Sequence, residues 1–109
     1  SDYRQGVCNM SWLTVAPDVL CQEVEGEMIL LNLPAESYHS LNTTGRRFLA
    51  IACESDSFDS AVQAISAEFS IQAELAGSDL ARILEMMHRR NLVVVSDPSL
   101  EFINGSNSD

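Results

Sequence analysis

The sequence contains no lysine, and all six of its basic residues are arginines. Sixteen acidic residues outnumber them, so the formal net charge at pH 7 is −10. A nucleic-acid-binding surface needs a concentration of basic side chains, and we therefore expect no nucleic-acid partner. An anionic membrane surface is disfavoured for the same reason, and no apolar run reaches the roughly 18 residues of a membrane span.

Residues typical of disulfide, metal and catalytic sites are also sparse. The cysteines, Cys8, Cys21 and Cys53, are odd in number, widely spaced and without a C-x-x-C pair. His39 and His88 share no ligand spacing, so we expect no disulfide framework, no metal site and no cofactor. No Ser or Cys nucleophile accompanies His39 in a recognisable context, and no glycine-rich phosphate loop occurs. We therefore expect no enzymatic activity. The N-terminus lacks a signal-peptide pattern, which favours a cytoplasmic protein.

The length of 109 residues and the 46% hydrophobic content are typical of one small globular domain. Both ends lack hydrophobic periodicity and the C-terminal end is rich in turn-forming residues. We therefore predict flexible segments at residues 1–16 and 97–109, on either side of a domain at residues 17–96.

Within that domain the pattern changes once, from strands to helices, which predicts an α+β fold. Three short strands, at Val19–Val24, Glu27–Leu33 and Ser37–Leu41, are expected to form an antiparallel meander with Glu25-Gly26 as its first turn. Three helices should follow. The first is expected at Thr43–Cys53 with Asn42 as its N-cap, the second begins near Phe58, and the third has its strongest signal at Ser78–Arg90. Asn91 can end the third helix in a left-handed conformation, before the β-prone run Leu92–Val95.

The third strand, Ser37–Leu41, has no formally charged residue and no proline. Sheet edges are normally charged, covered or shortened, so an uncharged edge can accept an extended peptide. Alternatively, the segment Leu92–Val95 covers this edge within the monomer. The residues alone leave both arrangements open.

The chain contains the segments GEMILLNL at Gly26–Leu33 and YHSLNTTG at Tyr38–Gly45, followed by the end of the third helix running into Asn91-Leu92-Val93. These are the most specific parts of a resemblance to the PqqD-like family that extends, in order, over about residues 15–95. The chain departs from the family's usual pattern at Ala35-Glu36, at Phe48 and at Asn91. Each of these replacements keeps the structural role of turn, core aromatic or helix cap. They favour a lasso-type or other peptide pathway over pyrroloquinoline quinone synthesis.

The resemblance implies a winged-helix-like domain in which a three-stranded antiparallel sheet is followed by three helices. It also implies a recognition element of a ribosomally synthesised, post-translationally modified peptide pathway. Such a protein is a non-catalytic adaptor that binds the leader segment of a precursor peptide as a strand added to the third strand. It then delivers the peptide to a separate leader peptidase or other modifying enzyme. The expected peptide-binding residues are Ser37, Tyr38, His39, Ser40, Leu41, Asp79, Arg82, Ile83, Met86, Met87 and Arg90.

Two other functions remain open at this point. The same architecture occurs in winged-helix DNA-binding regulators, but the third helix offers only Arg82, Arg89 and Arg90, offset by Asp79 and Glu85. The chain could also be a structural subunit that stabilises a partner enzyme without binding a peptide itself.

Overall fold

The computed structural model describes residues 2–3, 8 and 10–100 of the chain. The helices and strands follow one another in the order β1 (Asp2–Tyr3), β2 (Leu13–Val15), β3 (Val19–Val24), β4 (Glu27–Asn32), β5 (Ser37–Leu41), α1 (Thr43–Ala52), α2 (Phe58–Phe69), α3 (Ala73–Arg89) and β6 (Val93–Val95). The predicted meander of three antiparallel strands followed by three helices is therefore confirmed. The third helix begins five residues before its strongest sequence signal at Ser78.

Strands β3, β4 and β5 are joined by tight turns that local sequence dictates. Glu25 and Gly26 both have positive φ, at 52° and 85°, as a two-residue type I′ turn requires, and they join the paired residues Val24 and Glu27. The β4–β5 register begins at Asn32, whose side-chain oxygen accepts a hydrogen bond from the Ala35 amide at 3.1 Å inside the second turn. The pairing of all three strands is thus set by short-range chemistry.

The helices begin and end at residues with suitable side chains. The Asn42 side chain accepts from the Gly45 amide at 2.8 Å, as its predicted role of N-cap requires, and Ser57 caps α2 through the Ser60 amide at 3.1 Å. Asn91 has a φ of 61°, the left-handed conformation expected after α3.

The core lies between the sheet and the helices. Its most completely buried side chains are Cys8, Leu13, Leu30, Ile65, Leu80, Leu84, Met87 and Leu92. The opposite face of the sheet carries the cross-strand row Leu20, Leu31 and Tyr38, in which Leu20 and Tyr38 are exposed.

The structure differs from the predicted boundaries at both ends of the domain. Residues 13–15 form β2 and pair with β6, and the Trp12 side chain is buried with its Nε1 donating to the Ser55 carbonyl at 2.8 Å. At the other end, Asp97 and Leu100 are buried, and Asp97 Oδ2 accepts from the Phe58 amide at 2.8 Å. Residues 10–16 and 97–100 therefore belong to the folded body, because they are held by long-range contacts that leave no local periodicity. The rest of the two predicted flexible segments, apart from residues 2–3 and 8, lies outside the described residues.

A disulfide joins Cys8 to Cys53, whose Cα atoms are 4.9 Å apart, while Cys21 is a buried free thiol. The expectation of no disulfide framework was therefore wrong for this one pair. The two partners are 45 residues apart in sequence, so only the tertiary fold brings them together.

None of the helices in the described part of the chain is long and apolar enough to cross a membrane.

Candidate functional site

Strand β5 is an open edge of the sheet among the described residues. The sheet has the strand order β1-β3-β4-β5, so β1 covers the outer side of β3 and β5 ends the sheet. The run that could have covered β5 is elsewhere, because β6 pairs with β2 in a separate two-stranded sheet. The structure thus decides between the two arrangements that the sequence left open, and it leaves β5 uncovered.

The register determines which backbone groups of β5 face outward. Val24 and Glu27 close a two-residue hairpin and are a hydrogen-bonded pair, and such pairs alternate along an antiparallel ladder. Residues 28, 30 and 32 therefore turn their amides and carbonyls toward β5, where they meet residues 41, 39 and 37. It follows that the N–H and C=O groups of Tyr38 and Ser40 point away from the sheet.

Successive side chains of a strand point to opposite faces of the sheet, and the buried Leu41 points toward the helices. The helix-facing side of β5 therefore carries Ser37, His39 and Leu41. A cavity of about 260 Å³ opens between this side of β5, the start of α1 and the face of α3. Its lining consists of His39, Ser40, Leu41, Asn42, Thr44, Gly45, Phe48, Asp79, Arg82 and Ile83. Gly45 permits the close approach of α1 to β5, since a Cβ there would lie 3.3 Å from Cδ2 of Leu41.

The end of α3 is tied to the beginning of β5. Arg90 Nη1 donates to the Tyr38 carbonyl at 3.2 Å and lies 2.8 Å from Nδ1 of His39. The Ser37 hydroxyl donates to the Arg90 carbonyl, and Asn32 Nδ2 donates to the Asn91 carbonyl at 2.7 Å. Burial and the neighbouring Arg90 charge together lower the pKa of His39 below its usual value, which favours the neutral imidazole at pH 7.

The structure brings most of the predicted binding residues together around this cleft. Asp79, Arg82 and Ile83 line the cavity with residues 39–41, and Arg90 reaches β5 directly. Met86 lies on the same helical face by its spacing and is 37% exposed. Met87 was wrongly included, because its side chain is fully buried in the core and cannot reach a peptide.

The α1 side of the cleft was missed in the analysis of the sequence. Thr44, Gly45 and Phe48 line the cavity although they were not among the predicted peptide-binding residues. The available signal was the glycine in the first turn of α1, which indicates a close approach at that point. The described residues contain no cluster of three or more His, Cys, Asp or Glu that could hold a metal ion.

Comparison with known proteins identifies the family of the chain. The family model described as coenzyme PQQ synthesis protein D (PqqD) matches residues 27–93, which include β4, β5, all three helices and the start of β6. The chain belongs to the PqqD family. A search of curated proteins found no match.

Among solved structures, this PqqD-family chain resembles one described as TbiB1 in complex with the TbiA(beta) leader peptide. The two are 25% identical, with a TM-score of 0.63 over 72% of this chain and 92% of the other. The neighbour therefore shares the fold over nearly its whole length.

Proposed function

We propose that this chain binds the leader segment of a ribosomally made precursor peptide, which adds as a strand to β5 in the cleft against α3. The observation that carries the proposal is the uncovered edge of β5, which presents the amides and carbonyls of Tyr38 and Ser40 beside a cavity. Main-chain hydrogen bonds would supply affinity, and the cavity would select side chains. The similar fold of a protein solved with a leader peptide supports this choice of ligand.

The proposed binding residues are Ser37, Tyr38, His39, Ser40, Leu41, Asp79, Arg82, Ile83, Met86 and Arg90, with Thr44, Gly45 and Phe48 on the α1 side. The chain would act in the cytoplasm as a non-catalytic adaptor that delivers the bound precursor to a separate leader peptidase or other modifying enzyme. A lasso-peptide pathway is the one we favour. In this proposal a winged-helix-like domain serves peptide binding, and both arginines of α3, Arg82 and Arg89, are already paired with carboxylates of their own helix.

Titration of the purified chain with a synthetic precursor leader peptide tests the proposal. We expect saturable binding to the leader and none to a scrambled leader of equal composition. Mass spectrometry of a mixture with the full precursor should find the precursor intact, and addition of a leader peptidase of the same pathway should then release the leader. The adaptor role would be refuted by the absence of leader binding, or by cleavage with this chain alone at enzyme-like rates.

A further inference from the structure

Arg90 differs from the other arginines that the structure describes in its charge environment. Four of them form ion pairs with carboxylates at 2.7–3.1 Å, namely Arg46 with Glu23, Arg47 with Glu68, Arg82 with Asp79, and Arg89 with Glu85. Arg90 has no carboxylate within 4.0 Å among the described residues. Sixteen acidic residues occur in this chain, so an arginine without a carboxylate partner at the open edge needs an explanation.

The contacts that Arg90 does make are with the edge itself. Its Nη1 atom donates to the outward-facing carbonyl of Tyr38 and meets Nδ1 of His39. A guanidinium has five N–H donors arranged to hold a carboxylate through two parallel hydrogen bonds, and a single nitrogen is used here. The remaining donors are available, because Arg90 is exposed and borders an opening of about 300 Å³ with Glu36, Ser37 and Tyr38.

We infer that Arg90 and His39 form a binding site for a carboxylate side chain of the peptide strand that adds to β5. This inference rests on the proposed function and specifies its substrate class, a leader with Asp or Glu in the pairing segment.

The alternation of the ladder places that acidic residue. A peptide strand that pairs with the outward groups of Tyr38 and Ser40 places its residue opposite His39 with the side chain on the cleft side. Arg90 contacts β5 at this point, so the acidic residue is expected opposite His39. Glu36 lies three residues before His39 and would repel a peptide carboxylate placed near the beginning of β5. Near His39 itself, Asp79 and Arg82 form an ion pair, so their charges neutralise each other.

The same contact accounts for selectivity against neutral peptides. The peptide needs the Tyr38 carbonyl as an acceptor, and Arg90 occupies it in the structure. A carboxylate draws the guanidinium from that carbonyl and replaces the lost hydrogen bond with stronger, charge-assisted ones. A neutral peptide must displace Arg90 without that replacement.

The test is a double-mutant cycle on leader binding. One change is Arg90→Gln, and the other converts the leader's acidic residue opposite His39 to its amide. Each change alone should weaken binding about tenfold, as is typical of a hydrogen bond to a charged group, and both together should weaken it no further. Arg89→Gln is the matched control, and since Arg89 is an exposed neighbour paired with Glu85 we expect less than about a twofold effect.

Charge reversal supplies a second measurement. Arg90→Glu should bind the parent leader poorly and recover affinity when the leader's acid is replaced by arginine. Urea unfolding measures whether each variant keeps the stability of the parent chain. All variants retain the backbone hydrogen bonds of residue 90, from its amide to the Met87 carbonyl and from the Ser37 hydroxyl to its carbonyl.

The inference is overturned if Arg90→Gln affects the acidic leader and its amide form equally or not at all, or if the leader has no acid in the segment that pairs with β5. If the unmodified chain binds no leader, the proposed function fails, and this inference with it. A leader that binds normally but shows no coupling to Arg90 overturns this inference alone.

Discussion

Proline at residue 40 distinguishes the outward-facing amides of β5 from those that hold the sheet together. Ser40→Pro removes an amide that faces the open edge and takes no part in the β4–β5 ladder, and proline is tolerated at such edge positions. His39→Pro removes an amide that faces Leu30 in that ladder. The two adjacent substitutions should therefore act on different properties, the first on peptide binding and the second on folding.

The magnitude follows from the number of groups on the edge. Tyr38 and Ser40 present two amides and two carbonyls, each worth about 1 kcal/mol net when it is paired with a peptide. Loss of the Ser40 amide should cost about 1 kcal/mol, or about a fivefold weaker affinity. The peptide carbonyl left without a donor adds to this loss wherever the cleft excludes water.

Calorimetric titration with the leader, together with urea unfolding of each variant, measures both quantities. Ser40→Ala is the matched control, because it removes only the hydroxyl, whose contact with Glu27 is a long 3.4 Å. If folded Ser40→Pro binds as tightly as Ser40→Ala, the peptide does not pair with this edge. If His39→Pro is as stable as the parent, the assignment of inward and outward amides is wrong.

Three further predictions concern the cleft and the stability of the fold. Ile83→Ala should weaken leader binding about tenfold in the same titration through loss of a cleft contact, whereas Val94→Ala, an exposed apolar control on β6, should not. Reduction of the Cys8–Cys53 disulfide, or Cys53→Ser, should lower the free energy of unfolding by up to about 4 kcal/mol in urea melts, because the disulfide closes a loop of 45 residues. Asp97→Ala should lower the free energy of unfolding by about 1 kcal/mol at pH 7. Burial raises the pKa of Asp97, but hydrogen bonds from Ser99 and the Phe58 amide outweigh burial and lower it overall. The stabilisation by Asp97 should therefore be present above the unfolded-state pKa of about 3.8 and fade as the pH falls through the lower folded-state pKa, and Asp97→Ala should flatten this acid dependence in urea melts.

The features that could be predicted from the sequence are those that short-range chemistry controls. The positive φ at Gly26, the cap at Asn42 and the left-handed Asn91 each depend on residues within a few positions, and the structure contains all three. The strand and helix order follows from hydrophobic periodicity for the same reason.

The features that were missed depend on contacts between distant residues. Strand β2 has only three residues, too few to show a period, and it is stabilised by β6 about 80 residues later. The Cys8–Cys53 pair has no local motif. Met87 was included among the peptide-binding residues although its helical spacing from Leu80 and Leu84 already places it on the core side of the third helix, and the packing buries its side chain completely.

An open edge strand also has to avoid pairing with a second copy of itself, and the charges of this chain bear on that requirement. Two copies meeting edge to edge at β5 would bring together two surfaces of a chain with net charge −10, and each would also bring its own Arg90 to the same place. Both contacts are repulsive, and Arg90 occupies the Tyr38 carbonyl that the second copy would need. A peptide carboxylate opposite His39 would draw Arg90 away from the Tyr38 carbonyl and form an ion pair with it. In the proposed arrangement the same residue would protect the empty edge and select the ligand, so Arg90→Gln should raise self-association in sedimentation measurements while it weakens leader binding.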